Sequence, residues 1–219
     1  MEKKYLIVNI GSTSKKYGLY FDRSLALKVH LEDRNPEFFS TVNGEEKKIT
    51  KNEFENSIEY VLERAKGLIK DKKEISAIGI RIVAPGKYFQ KSKVIDKKFI
   101  SELNNTSKIA PLHIKPTLKE IKYLKNIFSK IKIIGISDSE FHSNMPDESK
   151  YYAISKEVSN KFEILRYGYH GISVKAALSE AKKLLGNLPS KIVLCHLGGG
   201  SSITAIKEGK SLDTSMGFT

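Results

Sequence analysis

One local order occurs twice in this chain and limits what it can fold into: an apolar strand-like run, a Gly/Ser turn, and a second strand-like run. It stands at residues 5–21, around Gly11-Ser12-Thr13-Ser14. It returns at residues 192–206, around Gly198-Gly199-Gly200-Ser201-Ser202, where a short strand over Ser211–Thr214 follows. Each copy opens what reads as an α/β unit. Two such units facing each other would put both turns at a shared cleft. A hairpin that only has to reverse is served by Asn-Gly. A turn of glycines and hydroxyls offers successive amides and O–H groups, which can hold an anion. Gly/Ser turns are common, so each is a weak phosphate signal; the pairing strengthens it.

The rest of the chain reads as alternating strands and helices. Strands are predicted over Tyr5–Ile10, Tyr17–Phe21, Leu25–Leu31, Ile75–Val83, Ile131–Ile136 and Ile192–Leu197. Ile203–Ile206 and Ser211–Thr214 are predicted as two further strands around the Glu208-Gly209-Lys210 turn. Apolar residues at helical spacing predict a helix through residues 54–69, one starting at Pro116, and one over Val174–Leu185 capped by Gly186. The expected organisation is α/β, with mixed sheets flanked by helices, a first domain at 1–150 and a second at 151–219.

The 219 residues suffice for one large domain or two small ones. The net charge of +13 raises nucleic-acid binding as a reading. The lysines, however, are scattered without a basic block or interleaved aromatics, the pattern of a solvated surface that favours small anionic substrates. The expected partners are therefore small molecules, with no nucleic acid and no membrane. A single cysteine excludes an internal disulfide framework and fits a cytoplasmic protein. Cys195, inside a strand, is expected to pack. No segment approaches the roughly 20 apolar residues of a membrane span, and the N-terminal run reads as a strand rather than a signal peptide.

Chemistry concentrates in a few stretches. Asn9–Lys16 offers amides, hydroxyls and a lysine. Arg81 ends a very apolar strand, where a charge needs a partner or a task. Ala110-Pro111-Leu112-His113 places a histidine in a loop. Asp138, in Ser137–Pro146, follows the carboxyl end of a strand, where open α/β sheets present ligand groups. His170 stands between glycines in Arg166-Tyr167-Gly168-Tyr169-His170-Gly171, just before a helix. An ion-paired Arg81 and a neutral loop histidine are the bland alternatives. No metal-ligand spacing and no Walker phosphate loop occur.

These stretches, and above all CHLGGGSSITAIKEGKSLDTSMGFT at Cys195–Thr219, resemble the acetate kinases of the acetate and sugar kinase/actin superfamily. The resemblance runs through nearly the whole chain in order. It implies an actin-like, ribonuclease H-like duplicated fold whose second domain is incomplete here. It implies reversible transfer of the ATP γ-phosphoryl to acetate, giving ADP and acetyl phosphate, with Mg2+ or Mn2+. By the resemblance Asn9, Ser12, Ser14 and Lys16 form the first phosphate turn, with Asn9 near the metal. Arg81 holds the carboxylate and neutralises transition-state charge, and Val83 and Leu112 shape the methyl pocket. Asp138 is the acid near metal and acetate. His113 and His170 flank the phosphoryl group, His170 as transition-state donor. His196, Leu197, Gly198, Gly199, Gly200 and Ser201 form the second phosphate turn, and a homodimer is implied.

The chain departs from the family pattern at Thr13 for serine, at Ala84 and the residue before Arg81 for histidines, at Gly199 for asparagine and at Val174 for histidine. The family's adenosine-binding segment, a second arginine and a glutamate near the metal would lie past Thr219. The expectations are a kinase of acetate or propionate, or a weakly active or inactive piece that only binds phosphate, nucleotide or carboxylate.

Overall fold

The computed structural model describes residues 2–218; Thr219, the last residue of the family-like C-terminal stretch, lies outside them. The elements in order are β1 Lys4–Ile10, β2 Ser14–Phe21, β3 Ser24–Arg34, β4 Glu37–Val42, β5 Glu45–Ile49, α1 Lys51–Glu55, α2 Ser57–Arg64, β6 Ile75–Ile82 and β7 Lys93–Val94. Then come α3 Lys97–Thr106, α4 Pro111–Ile127, β8 Ile133–Ser137, α5 Asp147–Lys150, α6 Lys156–Lys161, α7 Gly171–Leu185, β9 Lys191–Leu197, β10 Ser201–Lys207 and β11 Lys210–Thr214. The mixed α/β class is as the sequence predicts.

The chain divides into two compact units. One holds the chain through Arg81 with Val94–Ser107 and Pro111–Gly135; the other holds Ile82–Lys93, Lys108–Ala110 and the chain from Ile136. The residue-150 boundary expected from sequence lies inside the second unit, because α3, α4 and most of β8 return to the first.

The first unit is built on a sheet of order β5-β4-β3-β2-β1-β6-β8-β7. β1 pairs antiparallel with β2 and parallel with β6. Alternation puts Leu6, Val8 and Ile10 of β1, Tyr17 and Leu19 of β2, and Ile78 and Ile80 of β6 in the core. Ile58 and Val61 of α2, Phe99 and Leu103 of α3, and Ile114, Ile121 and Leu124 of α4 are buried with them.

Several elements differ from the sequence expectation. β4 and β5 were not expected; their Asn43-Gly44 hinge, with φ of 49° and 101°, is the readable sign of a tight hairpin. The helix predicted through residues 54–69 is two short helices. Thr50 opens α1 through a capping box with Glu53, and Asn56 leaves helical geometry between α1 and α2. α4 starts at Pro111, a favoured first helical position, and not at Pro116, which lies inside it.

In the second unit, Val174 and Leu178 of α7 pack with Ile206, Phe141, Leu188, Ile192 and Leu194. Leu165, Tyr167 and Tyr169 form another cluster with Val83, Tyr151, Met216 and Phe218. The sheet order here is β11-β10-β9, all antiparallel. Cys195 is exposed, which corrects the expectation of a packed thiol: it lies on the outer face of β9 with Val193 and Leu197. No helix among the described residues is long and apolar enough to cross a membrane.

Candidate functional site

In the first unit, register places the residues of the first Gly/Ser turn. Asn9 pairs with Lys16 and Ile10 with Lys15 across the β1–β2 hairpin. The Gly11 amide donates to the Ser14 carbonyl at 2.7 Å and closes the turn, leaving Ser12 and Thr13 exposed at its tip. The turn is tied to the next strand, since the Asp33 amide donates to the Thr13 carbonyl at 2.8 Å. Arg81 is half-buried near the end of β6, and its guanidinium donates to Asn9 Oδ1 at 3.3 Å. The strand-end arginine thus meets β1 two residues before the first turn. Leu112 and His113 ride on the first turn of α4; both are exposed, Leu112 at 72%.

The second unit brings together Asp138, His170, His196 and Ser202. Asp138 follows β8 and is buried, its amide donating to the Ile82 carbonyl at 3.0 Å. Its Oδ2 accepts the His170 amide at 2.9 Å, and its carbonyl accepts the Gly171 amide at 2.8 Å. A residue bearing Cβ at 171 would meet that carbonyl at 2.5 Å, so glycine is required there. His170 is held in the left-handed region at φ 63°, unusual for a non-glycine residue. Its Nδ1 lies 3.0 Å from Ser202 Oγ, and its ring stacks on His196 at 4.1 Å between centroids. His196 and Ser202 are cross-strand partners at the base of the Gly198–Gly200 turn. Gly198, Gly199, Gly200 and Ser201 are exposed around that turn; Leu197 is exposed on the outer face. Ser202, at the end of the same stretch, is turned inward to His170. Val83 packs on the cluster of Leu165, Tyr167 and Tyr169.

Sequence reasoning gave no role to His142, although it quoted the stretch containing it. Its ring is wholly buried. Nε2 lies 3.2 Å from the Tyr169 carbonyl, which can only accept, so this nitrogen carries the proton and Nδ1 accepts from Ser211 Oγ at 2.8 Å. The imidazole therefore ties the Asp138 segment, the backbone entering His170 and β11. Burial holds its pKa down at about 4, against the opposing pull of the Tyr169 carbonyl. Gly168, at φ 64°, leaves room for this ring; a Cβ there would approach it to 2.7 Å. The readable signal was a histidine four residues after a strand-end aspartate.

No group of three or more His, Cys, Asp or Glu side chains arranged for a metal occurs among the described residues. That still fits a magnesium ion carried by nucleotide phosphates, which keeps several waters and needs only one or two protein oxygens. Asp138 and Asn9 each present a side-chain oxygen, the first accepting from the His170 amide and the second from Arg81.

Comparison with known proteins matches these features to one family. The chain is 38% identical over 232 residues to the acetate kinase of Caldanaerobacter subterraneus subsp. tengcongensis, covering 99% of this chain and 57% of that protein. It is 40% identical over 227 residues to the acetate kinase of Thermosipho melanesiensis, covering 98% and 56%. Its fold matches the crystal structure of Porphyromonas gingivalis acetate kinase with a TM-score of 0.85 at 32% identity, covering 99% of this chain and 58% of that one. It matches a propionate kinase from Francisella tularensis with a TM-score of 0.87 at 30% identity and the same coverage. The chain thus spans somewhat more than half the length of these relatives. The Acetokinase family model matches residues 4–219, from the strand before the first glycine turn through the strands after the second; with both turns, Arg81 and the Asp138–His170 pair inside that span, the chain belongs to the acetokinase family.

Proposed function

We propose that the chain carries acetate kinase-type phosphotransfer, ATP and acetate giving ADP and acetyl phosphate reversibly. The observation that carries this reading is His170, whose amide is held by Asp138 and whose ring is held by Ser202 and His196 beside a glycine turn. The reaction breaks the bond from the γ-phosphorus to the ADP oxygen and forms one to a carboxylate oxygen. Acetate is already ionised at neutral pH, so no base need remove a proton. Catalysis then depends on positioning and charge neutralisation. Asn9, Ser12, Ser14 and Lys16 hold phosphate oxygens from one turn, and His196–Ser201 from the other. Arg81 binds the carboxylate with its planar fork and offsets charge on the equatorial oxygens. Val83 and Leu112 flank the methyl group. His113 and His170 donate to the phosphoryl group, His170 most strongly in the transition state. Asn9 and Asp138 would hold Mg2+ or Mn2+ with the nucleotide, and the ion would neutralise phosphate charge. Acetate and propionate differ by one methylene, worth about 1–3 kcal/mol in such a pocket. The homodimer and the cytoplasmic setting implied by the sequence remain part of this proposal.

The test is acetyl phosphate formation, trapped as hydroxamate, with ATP, magnesium and acetate on the 219-residue chain, beside Arg81→Ala and His170→Ala. Turnover that both variants lose by at least about a hundredfold supports the reading. A second reading is a module that binds phosphate, nucleotide or carboxylate without turnover. Calorimetric ATP binding without acetyl phosphate would select it.

A further inference from the structure

We propose that Glu120 is a positioning residue that locks the first phosphate turn to the helix presenting Leu112 and His113. What those two segments do rests on the phosphotransfer reading; the lock itself does not.

Glu120 lies in the middle of α4, seven residues and so about two turns beyond His113 on the same helix face. A carboxylate only 3% exposed on a helix is costly unless it is satisfied. Its partners come from two other elements. Tyr17 Oη lies 2.7 Å from Glu120 Oε1 and 2.8 Å from Ser57 Oγ. A phenol has one proton and a carboxylate can only accept, so Tyr17 donates to Glu120 and the Ser57 hydroxyl donates to Tyr17. Ser57 in turn accepts from Lys15 Nζ at 2.9 Å, and Lys15 Nζ lies 3.6 Å from Glu120 Oε2. Three hydrogen bonds run in one sense from Lys15 through Ser57 and Tyr17 to Glu120, a chain whose members strengthen one another, and the Lys15–Glu120 ion pair closes the ring. Burial pulls the Lys15 pKa down while Glu120 pulls it back; burial and the Glu120 charge push the Tyr17 phenol up.

The ring joins separate parts of the first unit. Lys15 directly follows the turn Gly11–Ser14, and its cross-strand partner is Ile10. The opposite bank is the first half of α4. Pro116 has no N–H for the Leu112 carbonyl, so the end bearing Leu112 and His113 lacks one helical bond. The Thr117 hydroxyl, donating to the His113 carbonyl at 2.8 Å, ties that end to the helix that follows. Between the banks lies a cavity of about 350 Å³, lined by Gly11 and Ser12 on one side and Lys115 and Pro116 on the other. Apolar packing therefore does not join turn and helix there. Lys15 and Glu120 line the same cavity and bridge it.

The test is backbone hydrogen exchange on the whole chain for wild type, Glu120→Ala, Glu120→Gln and Tyr17→Phe. Glu120→Ala is expected to speed exchange about tenfold in both the 11–14 and 112–118 segments, with the amides of Leu6, Val8, Ile78 and Ile80 unchanged. Glu120→Gln keeps an acceptor for Tyr17 and is expected to restore most of that protection. Tyr17→Phe removes one hydroxyl, keeps the packing, and is expected to speed both segments about threefold to tenfold; it carries the same test if Glu120→Ala does not fold. Loosening of the helix with the turn unchanged, no change in either, or loss of protection across the whole chain in Tyr17→Phe would each overturn the proposal. Absence of acetyl phosphate formation in wild type would sink the phosphotransfer reading and leave the exchange result standing.

Discussion

The two sheets of this chain bury their side chains by different rules. In the first unit, β1, β2 and β6 send Leu6, Val8, Tyr17, Leu19, Ile78 and Ile80 into one core face, while Asn9, Lys16 and Lys28 stand on the other. In the second unit, β9 to β11 bury a face that is partly polar, with Ser202, Thr204, Ser211 and Thr214 beside Ile206. Their outer face is the apolar one: Val193 is 70% exposed, Leu197 78% and Ile203 52%. Strands apolar on both faces belong to sheets covered on both sides. The first sheet's other face mixes Ile7, 43% exposed, and Leu25, 49% exposed, with those polar residues, whereas the outer face of β9 and β10 sets Val193, Cys195, Leu197 and Ile203 together, a composition that calls for cover. The polar inner face has its own reason, because Ser202 and Ser211 are the hydroxyls that hold His170 and His142.

The largest effects should separate the sheets by position alone. Ile80→Ala, at a fully buried site, is expected to cost about 3–4 kcal/mol in urea unfolding. Leu197→Ala removes a similar side chain from the outer face and should cost less than about 0.5 kcal/mol. Equal costs would break the comparison. The exposed face gives a second handle: replacing Val193, Leu197 and Ile203 together by threonine should leave the fold intact, since threonine keeps strand preference. It should also reduce self-association, read by light scattering as a lower mass at the same concentration. An unchanged mass would mean that this face drives no association.

Next in size is a pH effect confined to the second unit. The His142 pKa falls from an ordinary value near 6.5 to about 4 on folding. The unfolded chain therefore binds the proton more strongly, and stability from this group is complete above pH 6.5 and falls as pH drops towards 4. Asp138 and His170 act on the ring through their charge, the first favouring protonation and the second opposing it. The slope is at most about 1.4 kcal/mol per pH unit, and below pH 4 no more is lost. His142→Gln keeps a donor and an acceptor but does not titrate. The variant should have a flatter stability profile between pH 6.5 and 4, and an identical slope would remove His142 as the source.

How much of this was legible follows from which forces are local. Strand alternation, glycine turns and the Asp138 and His170 stretches are written in neighbouring residues, so the sequence located them. The Asn56 break between α1 and α2 was missed because apolar spacing continued across it to Ile69. The Glu120 ring and the His142 clamp join residues 103 and 69 positions apart. A lone glutamate on a helix reads as a surface charge until the strand opposite it supplies a phenol. The inward turn of Ser202 was equally invisible, because the sequence does not distinguish a serine facing a phosphate from one facing a histidine.

The smallest expected effect tests the face that sequence reasoning got wrong. Cys195 shares the outer face of β9 with Val193 and Leu197, and its cross-strand partner is Ile203. A packed thiol would be shielded and would weaken the sheet when changed. An exposed one should react stoichiometrically with a disulfide reagent in the native state, at a rate unaffected by mild urea. Cys195→Ser should then shift stability by no more than about 0.5 kcal/mol. A thiol that reacts only on unfolding would mean that something covers β9 in solution. The threonine triple variant then decides what: if uncovering the face also frees the thiol, the cover is another copy of this chain held by Val193, Leu197 and Ile203.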